Sequence, residues 1–197
     1  MRGEPVDHFR VERSIIAYGR VAAVAALGIC LTIAAGRAAT AHRTAVRAAP
    51  AAALDSNTFM TVDAAAKKVT IQLDAAYNSQ NGGMNFNGGS SGNQTITVPL
   101  GWSVHIAFLN KDAIPHSAII LADHMPLPLQ PDHPAIARAY TKDVTAGIPT
   151  DGTDTMDFTA QPAGNYLIVC GVPGHGPSGM YIKFVVSAAA KAPHYAQ

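Results

Sequence analysis

The sequence predicts an all-β protein, a Greek-key antiparallel β-sandwich, with a separate hydrophobic segment at its N-terminus. Two observations carry this expectation. From Phe59 onward, seven or eight short β-type runs are separated by Gly, Pro, Asn and Asp, the spacing of strands that pack as two sheets. The charge also divides the chain: seven Arg and three acids give the first 53 residues +4, whereas seven Lys/Arg and ten Asp leave residues 54–197 at −3. The whole is 48% hydrophobic and 14% charged, too apolar for a disordered chain. A net charge of +1 leaves no cationic surplus for nucleic acid. Two cysteines, Cys30 and Cys170, are too few for a disulfide framework.

Residues 14–36 come first, with an unbroken apolar core from Val21 to Ala35. That length suits the h-region of a cleaved signal peptide. With Arg20 snorkelling, the stretch from Ser14 also reaches the roughly 20 residues of an uncleaved membrane anchor. Arginines flank both sides, so the positive-inside rule gives only a slight bias. Both readings imply export, either anchored to the cell membrane and facing outward or released as a periplasmic, extracytoplasmic protein. Cys30 is an apolar passenger, because Ile29 lacks the small side chain a lipoprotein site wants. The expected organisation is signal or anchor over 1–36, an Ala/Arg/Pro-rich linker over 37–53, the sandwich over 54–190 and a tail over 191–197.

In the body, Lys68–Leu73, Gln94–Val98 and Trp102–Leu109 alternate with period two, the last placing Trp102, Val104, Ile106 and Phe108 on one face. Ser117–Leu121, Thr155–Thr159, Asn165–Cys170 and Tyr181–Val186 are the further strand candidates. The Gly/Asn-rich stretch Gln80–Asn93 is a loop. Its formal G-x-S-x-G at Gly88–Gly92 precedes a strand rather than a helix and so lacks the context of a hydrolase elbow. Ala122–Gly152 carries five prolines and is expected outside the sandwich near one end, with Ala135–Val144 its one helix-friendly piece.

The segment Cys170-Gly-Val-Pro-Gly-His175-Gly-Pro-Ser-Gly-Met180 sets a thiol, an imidazole and a thioether at five-residue spacing in a loop between two strands. A tight loop can turn all three toward one point. With a second histidine they make the soft ligand set of a mononuclear copper site. His116, at the start of a strand, is the strongest candidate for that histidine. His105 lies mid-strand opposite Trp102, His124 and His133 fall in the proline-rich insert, and His194 is in the tail.

At these residues the chain resembles the cupredoxin family. The form C-x-x-P-G-H-x-x-x-G-M is similar to its sulfocyanin branch and the related rusticyanins. Asn85-Phe-Asn-Gly88, Val98-Pro-Leu-Gly-Trp102 and Pro115-His116-Ser117 resemble further pieces of the same pattern, and the likeness covers roughly Phe59 to Ser187. The resemblance implies one type 1 copper with His116, Cys170 and His175 equatorial, Met180 axial, and the Ser117 backbone N–H donating to the cysteine sulfur. It implies an electron carrier rather than an enzyme. Such a carrier shuttles single electrons at high potential to a terminal oxidase from a quinol-oxidising or iron-oxidising complex. His175 would be the electron port, with Val172, Pro173 and Met180 adding an apolar docking patch. A monomer, held to the membrane through residues 14–36, fits one exposed port. The competing reading is an exported copper-binding module for storage, delivery or sensing.

Overall fold

The computed structural model describes residues 58–197, and all statements of structure concern these. The signal or anchor over 1–36 and the linker over 37–53 lie outside the described residues. Among the described residues no helix is long and apolar enough to cross a membrane.

Nine strands form two sheets: β1 (Met60–Asp63), β2 (Lys68–Ala75), β3 (Thr95–Pro99), β4 (Ser103–Asn110), β5 (Ile119–Ala122), β6 (Thr153–Thr159), β7 (Gly164–Val169), β8 (Tyr181–Ser187) and β9 (His194–Ala196). One sheet has the order β1-β2-β4-β6 and the other β5-β7-β8-β3-β9. All seven expected strands are present, and the all-β sandwich is as the sequence predicts. The pairing is not purely antiparallel, because β2 with β4 and β3 with β8 run parallel. The reason lies in the path of the chain. It leaves the first sheet after β2, crosses to the second as β3, and returns as β4 beside β2 in the same direction.

Alternation along β2, β3, β4 and β8 drives the core. Val69, Ile71 and Leu73 of β2, with Val104, Ile106 and Phe108 of β4, face Ile96 and Val98 of β3 and Ile182, Phe184 and Val186 of β8. Burying each such side chain is worth about 1.5–3 kcal/mol. Trp102 joins the same face as β4, as expected. His105 lies on the other face, half-buried, with Nδ1 2.8 Å from Asp157 Oδ1 of the neighbouring β6.

Two expectations are corrected. The segment 191–197 is not a frayed tail: β9 pairs with β3, His194 sits opposite Thr97, and Tyr195 is buried in the core. The Ala122–Gly152 insert lies beyond the sheets but is not peripheral, and Ala135–Val144 is not helical. Strand β5 ends its sheet and has a free edge to satisfy. Ala135 N–H donates to Ile120 O, Ile120 N–H to Ala139 O, and Thr141 N–H to Ala118 O, so this stretch runs along that edge. Ile136, Ala139 and Ile148 enter the main core, while Leu127 covers Ile119, Leu167 and Val169 on the outer face. Residues Tyr166–Val169 of β7 are therefore buried on both faces and do not alternate.

The Gly/Asn-rich loop before β3 is held by buried amides. Asn85 Nδ2 donates to Asn78 O and Gln80 O, and Asn87 Nδ2 donates to Gln72 O. Tyr195 closes the network: its hydroxyl donates to Gln94 Oε1 at 2.7 Å and accepts from Asn87 Nδ2 at 3.3 Å. Burial pushes the Tyr195 phenol up to about 12. The folded state thus holds this proton more tightly than the unfolded chain, whose phenol titrates near 10. The resulting stability is full below pH about 10 and falls as pH rises toward 12. Tyr195→Phe should cost about 1–3 kcal/mol in neutral denaturant titrations, since Gln94 and Asn87 lose a buried partner. The variant should also lose part of the alkaline decline in stability.

Candidate metal centre

Three chain segments build one cluster at an end of the sandwich. The first is the turn from Asn110 to Ser117, between β4 and β5. Buried Asn110 shapes it by donating through Nδ2 to Ile114 O and Ile148 O, while its Oδ1 accepts the Asp112 N–H. Lys111 ties the start of the turn to the sandwich, with Nζ 2.7 Å from Asp74 Oδ2 and 5.0 Å above the Tyr77 ring. His116 then exchanges backbone hydrogen bonds with Ile148 of the insert and is fully buried.

The second segment is the loop from Cys170 to Met180, between β7 and β8. Its base is closed by Cys170 N–H donating to Met180 O and Met180 N–H donating to His175 O, both at 3.0 Å. Gly179 turns the chain at φ +96, where a Cβ would lie 2.7 Å from Ser91 Oγ, so a side chain is excluded on both counts. The third segment is the Gly/Asn-rich loop, which braces the second. Asn81 Nδ2 donates to Ser178 O, Ser91 N–H to Gly179 O, and Gly92 N–H to Tyr181 O.

Cys170 Sγ lies 3.7 Å from His116 Nδ1 and 3.5 Å from His175 Nδ1, and the two nitrogens are 3.2 Å apart. Metal–sulfur and metal–nitrogen bonds of about 2.3 and 2.0 Å place the donors of a trigonal site about 3.5 Å from one another. The observed triangle has that size. Each donor is also of the type a single copper ion takes, one soft thiolate and two imidazoles. The donor set therefore fits one type 1 copper as cofactor.

Burial shapes the electrostatics. Cys170 is 1% exposed, and burial pushes its thiol above the usual range against the opposing pull of the Ser117 N–H. A thiolate here needs a cation beside it. Burial, then the neighbouring His116, lowers the His175 imidazole. Asp112 Oδ2 stands 3.0 Å from His116 Nε2, and that hydrogen bond leads in holding the Asp112 carboxyl below the ordinary carboxylate range.

Ser117 joins the segments. Its N–H points to Cys170 Sγ at 3.5 Å; its hydroxyl donates to Val144 O at 2.6 Å and accepts from Gly171 N–H at 3.0 Å. Met180 is fully buried beside Cys170 in the main core, so it cannot belong to an exposed docking patch. Near half-buried His175 in the loop the exposed residues are Pro173, Pro177 and Ser178, and the exposed Leu129 of the insert accepts the Gly174 N–H through its carbonyl. Among the described residues the other histidines, His105, His124, His133 and His194, are not brought into the cluster. His124 and His133 are exposed, as expected. Asp112 and the bracing Asn81 were not among the candidate residues. A carboxylate four residues before a candidate ligand, within one turn, is the signal that could have found the first.

The sulfocyanin (SoxE) domain family matches residues 55–197. Sulfocyanin from Sulfolobus acidocaldarius is 31% identical over 137 residues, covering 64% of this chain and 66% of that protein. Rusticyanin from Acidithiobacillus ferrooxidans is 32% identical over 102 residues, covering 48% of this chain and 61% of that protein. The solved structure of rusticyanin from Thiobacillus ferrooxidans aligns with a TM-score of 0.42 and 26% identity, over 66% of this chain and 86% of the other. The chain thus spans slightly less than two thirds of the length of the sulfocyanin and rusticyanin it matches. With the family pattern running from residue 55 to the last residue described, the chain belongs to the sulfocyanin (SoxE) domain family.

Proposed function

We propose that this protein carries single electrons through one type 1 copper, which His116, Cys170, His175 and Met180 would hold. The observation that carries this reading is the convergence of Cys170 Sγ with the two Nδ1 atoms in a nearly dry pocket. When bound, the copper supplies a Cu(II)/Cu(I) couple. The chain's residues hold the donors so that little has to move when the charge changes. The Ser117 hydroxyl clamps Gly171 to the insert, the Ser117 N–H donates to the sulfur, and the Gly/Asn-rich loop braces Gly179. Exclusion of water and a thioether that would donate only weakly to Cu(II) favour the lower charge, which is the basis for a high potential; removing even that weak donation would raise it further.

His175 is the electron port on this reading. Of the four ligands, His116, Cys170 and Met180 are fully or almost fully buried, and only the His175 ring reaches the surface. The exposed loop residues Pro173, Pro177 and Ser178 and the nearby Leu129 are uncharged, so a redox partner would approach without displacing charged side chains from this loop. The family resemblance supports a terminal oxidase as acceptor and a quinol-oxidising or iron-oxidising complex as donor. The protein would work as a monomer outside the cytoplasmic membrane, tethered through residues 14–36 or released after cleavage there.

The full chain loaded with one equivalent of Cu(II) should show an intense thiolate-to-copper absorption band that bleaches on reduction and returns on reoxidation. Cys170→Ser should abolish the band, and a colourless wild-type protein would refute the reading. Met180→Leu should keep the colour and raise the reduction potential in a redox titration. An unchanged potential would remove Met180 from the ligand set.

A further inference from the structure

The geometry points to Asp112 as a charged positioning residue: its carboxylate holds the outer nitrogen of His116 and lowers the reduction potential of the bound copper. The inference rests on the copper reading above. His116 has two ring nitrogens with different surroundings. Nδ1 faces Cys170 Sγ and His175 Nδ1, while Nε2 lies 3.0 Å from Asp112 Oδ2. A carboxylate accepts but does not donate, so it places the proton on Nε2 and leaves the Nδ1 lone pair for the metal.

The carboxylate is itself fixed, which separates this contact from a chance surface pair. Asp112 Oδ1 accepts the Ala113 N–H at 2.7 Å, leaving Oδ2 for the imidazole. The Asp112 N–H donates to Oδ1 of the fully buried Asn110. On the other side the backbone of Gly83 closes over it, where a Cβ would stand 3.3 Å from Oδ2. The Asp112 side chain is 27% exposed, so water keeps access to the carboxylate while His116 stays fully buried.

A hydrogen bond from a metal-bound imidazole to a carboxylate makes the ring a stronger donor, and losing such a partner commonly costs 10–100-fold in metal affinity. Stronger donation and a nearby negative charge both favour Cu(II) over Cu(I). Asp112 therefore works against the buried thioether and the dry pocket, restraining a potential that those features raise. Its side chain does this without touching the metal.

The test uses the full chain as wild type, Asp112→Asn and Asp112→Glu, with copper as the probe. Asp112→Asn keeps the shape and removes the charge. It should keep the blue band near its original wavelength and lose about 10–100-fold in Cu(II) affinity by chelator competition, with a smaller loss for Cu(I). Each tenfold change in the ratio of the two affinities is a rise of about 59 mV in potential. Asp112→Glu, which keeps the charge, should move the potential less. In wild-type Cu(I) protein the His116 Nε2 proton should be visible by NMR and slow to exchange, a readout that does not depend on either variant folding. An Asp112→Asn protein that is blue with unchanged potential overturns the inference and leaves the copper reading intact. So does an Nε2 proton that exchanges freely with solvent, or an equal shift for Asn and Glu. A wild-type chain that never turns blue overturns both.

Discussion

The burial of the Cys170 sulfur is the constraint on which the rest of the site depends. A thiol 1% exposed at the end of a core strand resists ionisation, so a thiolate there is stable only beside a cation. The cation needs further donors within about 2 Å, and they must come from elsewhere in the chain because β7 has ended. One comes five residues on, in the loop that returns to β8, and one from the turn entering β5. Each loop could wander on its own. The Ser117 hydroxyl, bonded to Gly171 on one side and Val144 on the other, holds the two ligand-bearing segments and the insert in a single arrangement.

The insert explains how an edge strand can carry a ligand next to it. β5 is four residues long and lies at the end of its sheet, a poor platform by itself. Residues from Ala135 to Thr141 satisfy its free edge, Leu127 covers its outer face, and Ile148 pairs with His116 directly. The proline-rich stretch is thus a wall of the site as well as a surface feature. It also supplies Leu129, 68% exposed, to the rim around His175.

The Gly/Asn-rich loop plays the matching part on the other side. Its Gly83 lets the backbone pass close to Asp112, Ser91 and Asn81 pack against Gly179, and its buried asparagines are fully paired amides. Among the described residues no buried side-chain polar atom lacks a partner, as expected where polar groups are placed in a low-dielectric interior. The network ends on Tyr195, so the last strand is tied to the loop that braces the ligands.

By itself the sequence determined the strands whose alternation reflects one buried face, as in β2, β3, β4 and β8, and the donor chemistry of Cys170 and His175. Both are local: period two follows from the pleat, and five-residue spacing in a Gly/Pro loop needs no distant partner. The choice of His116 over His105, His124, His133 and His194 rested on its place at the start of a strand after a turn-rich stretch, with the family resemblance agreeing, but only the fold brings its Nδ1 to the Cys170 sulfur. Tertiary structure alone decided the parallel pairing of β2 with β4, because strand direction depends on crossings between sheets. It likewise decided that 135–141 runs as an edge cover rather than a helix, since the unpaired groups of β5 outweigh helix propensity there. The β9 pairing and the Asp112–His116 contact belong to the same class. Three residues such as His194–Ala196 carry no period, and a carboxylate in a turn becomes a partner only when the fold brings an imidazole nitrogen to 3.0 Å.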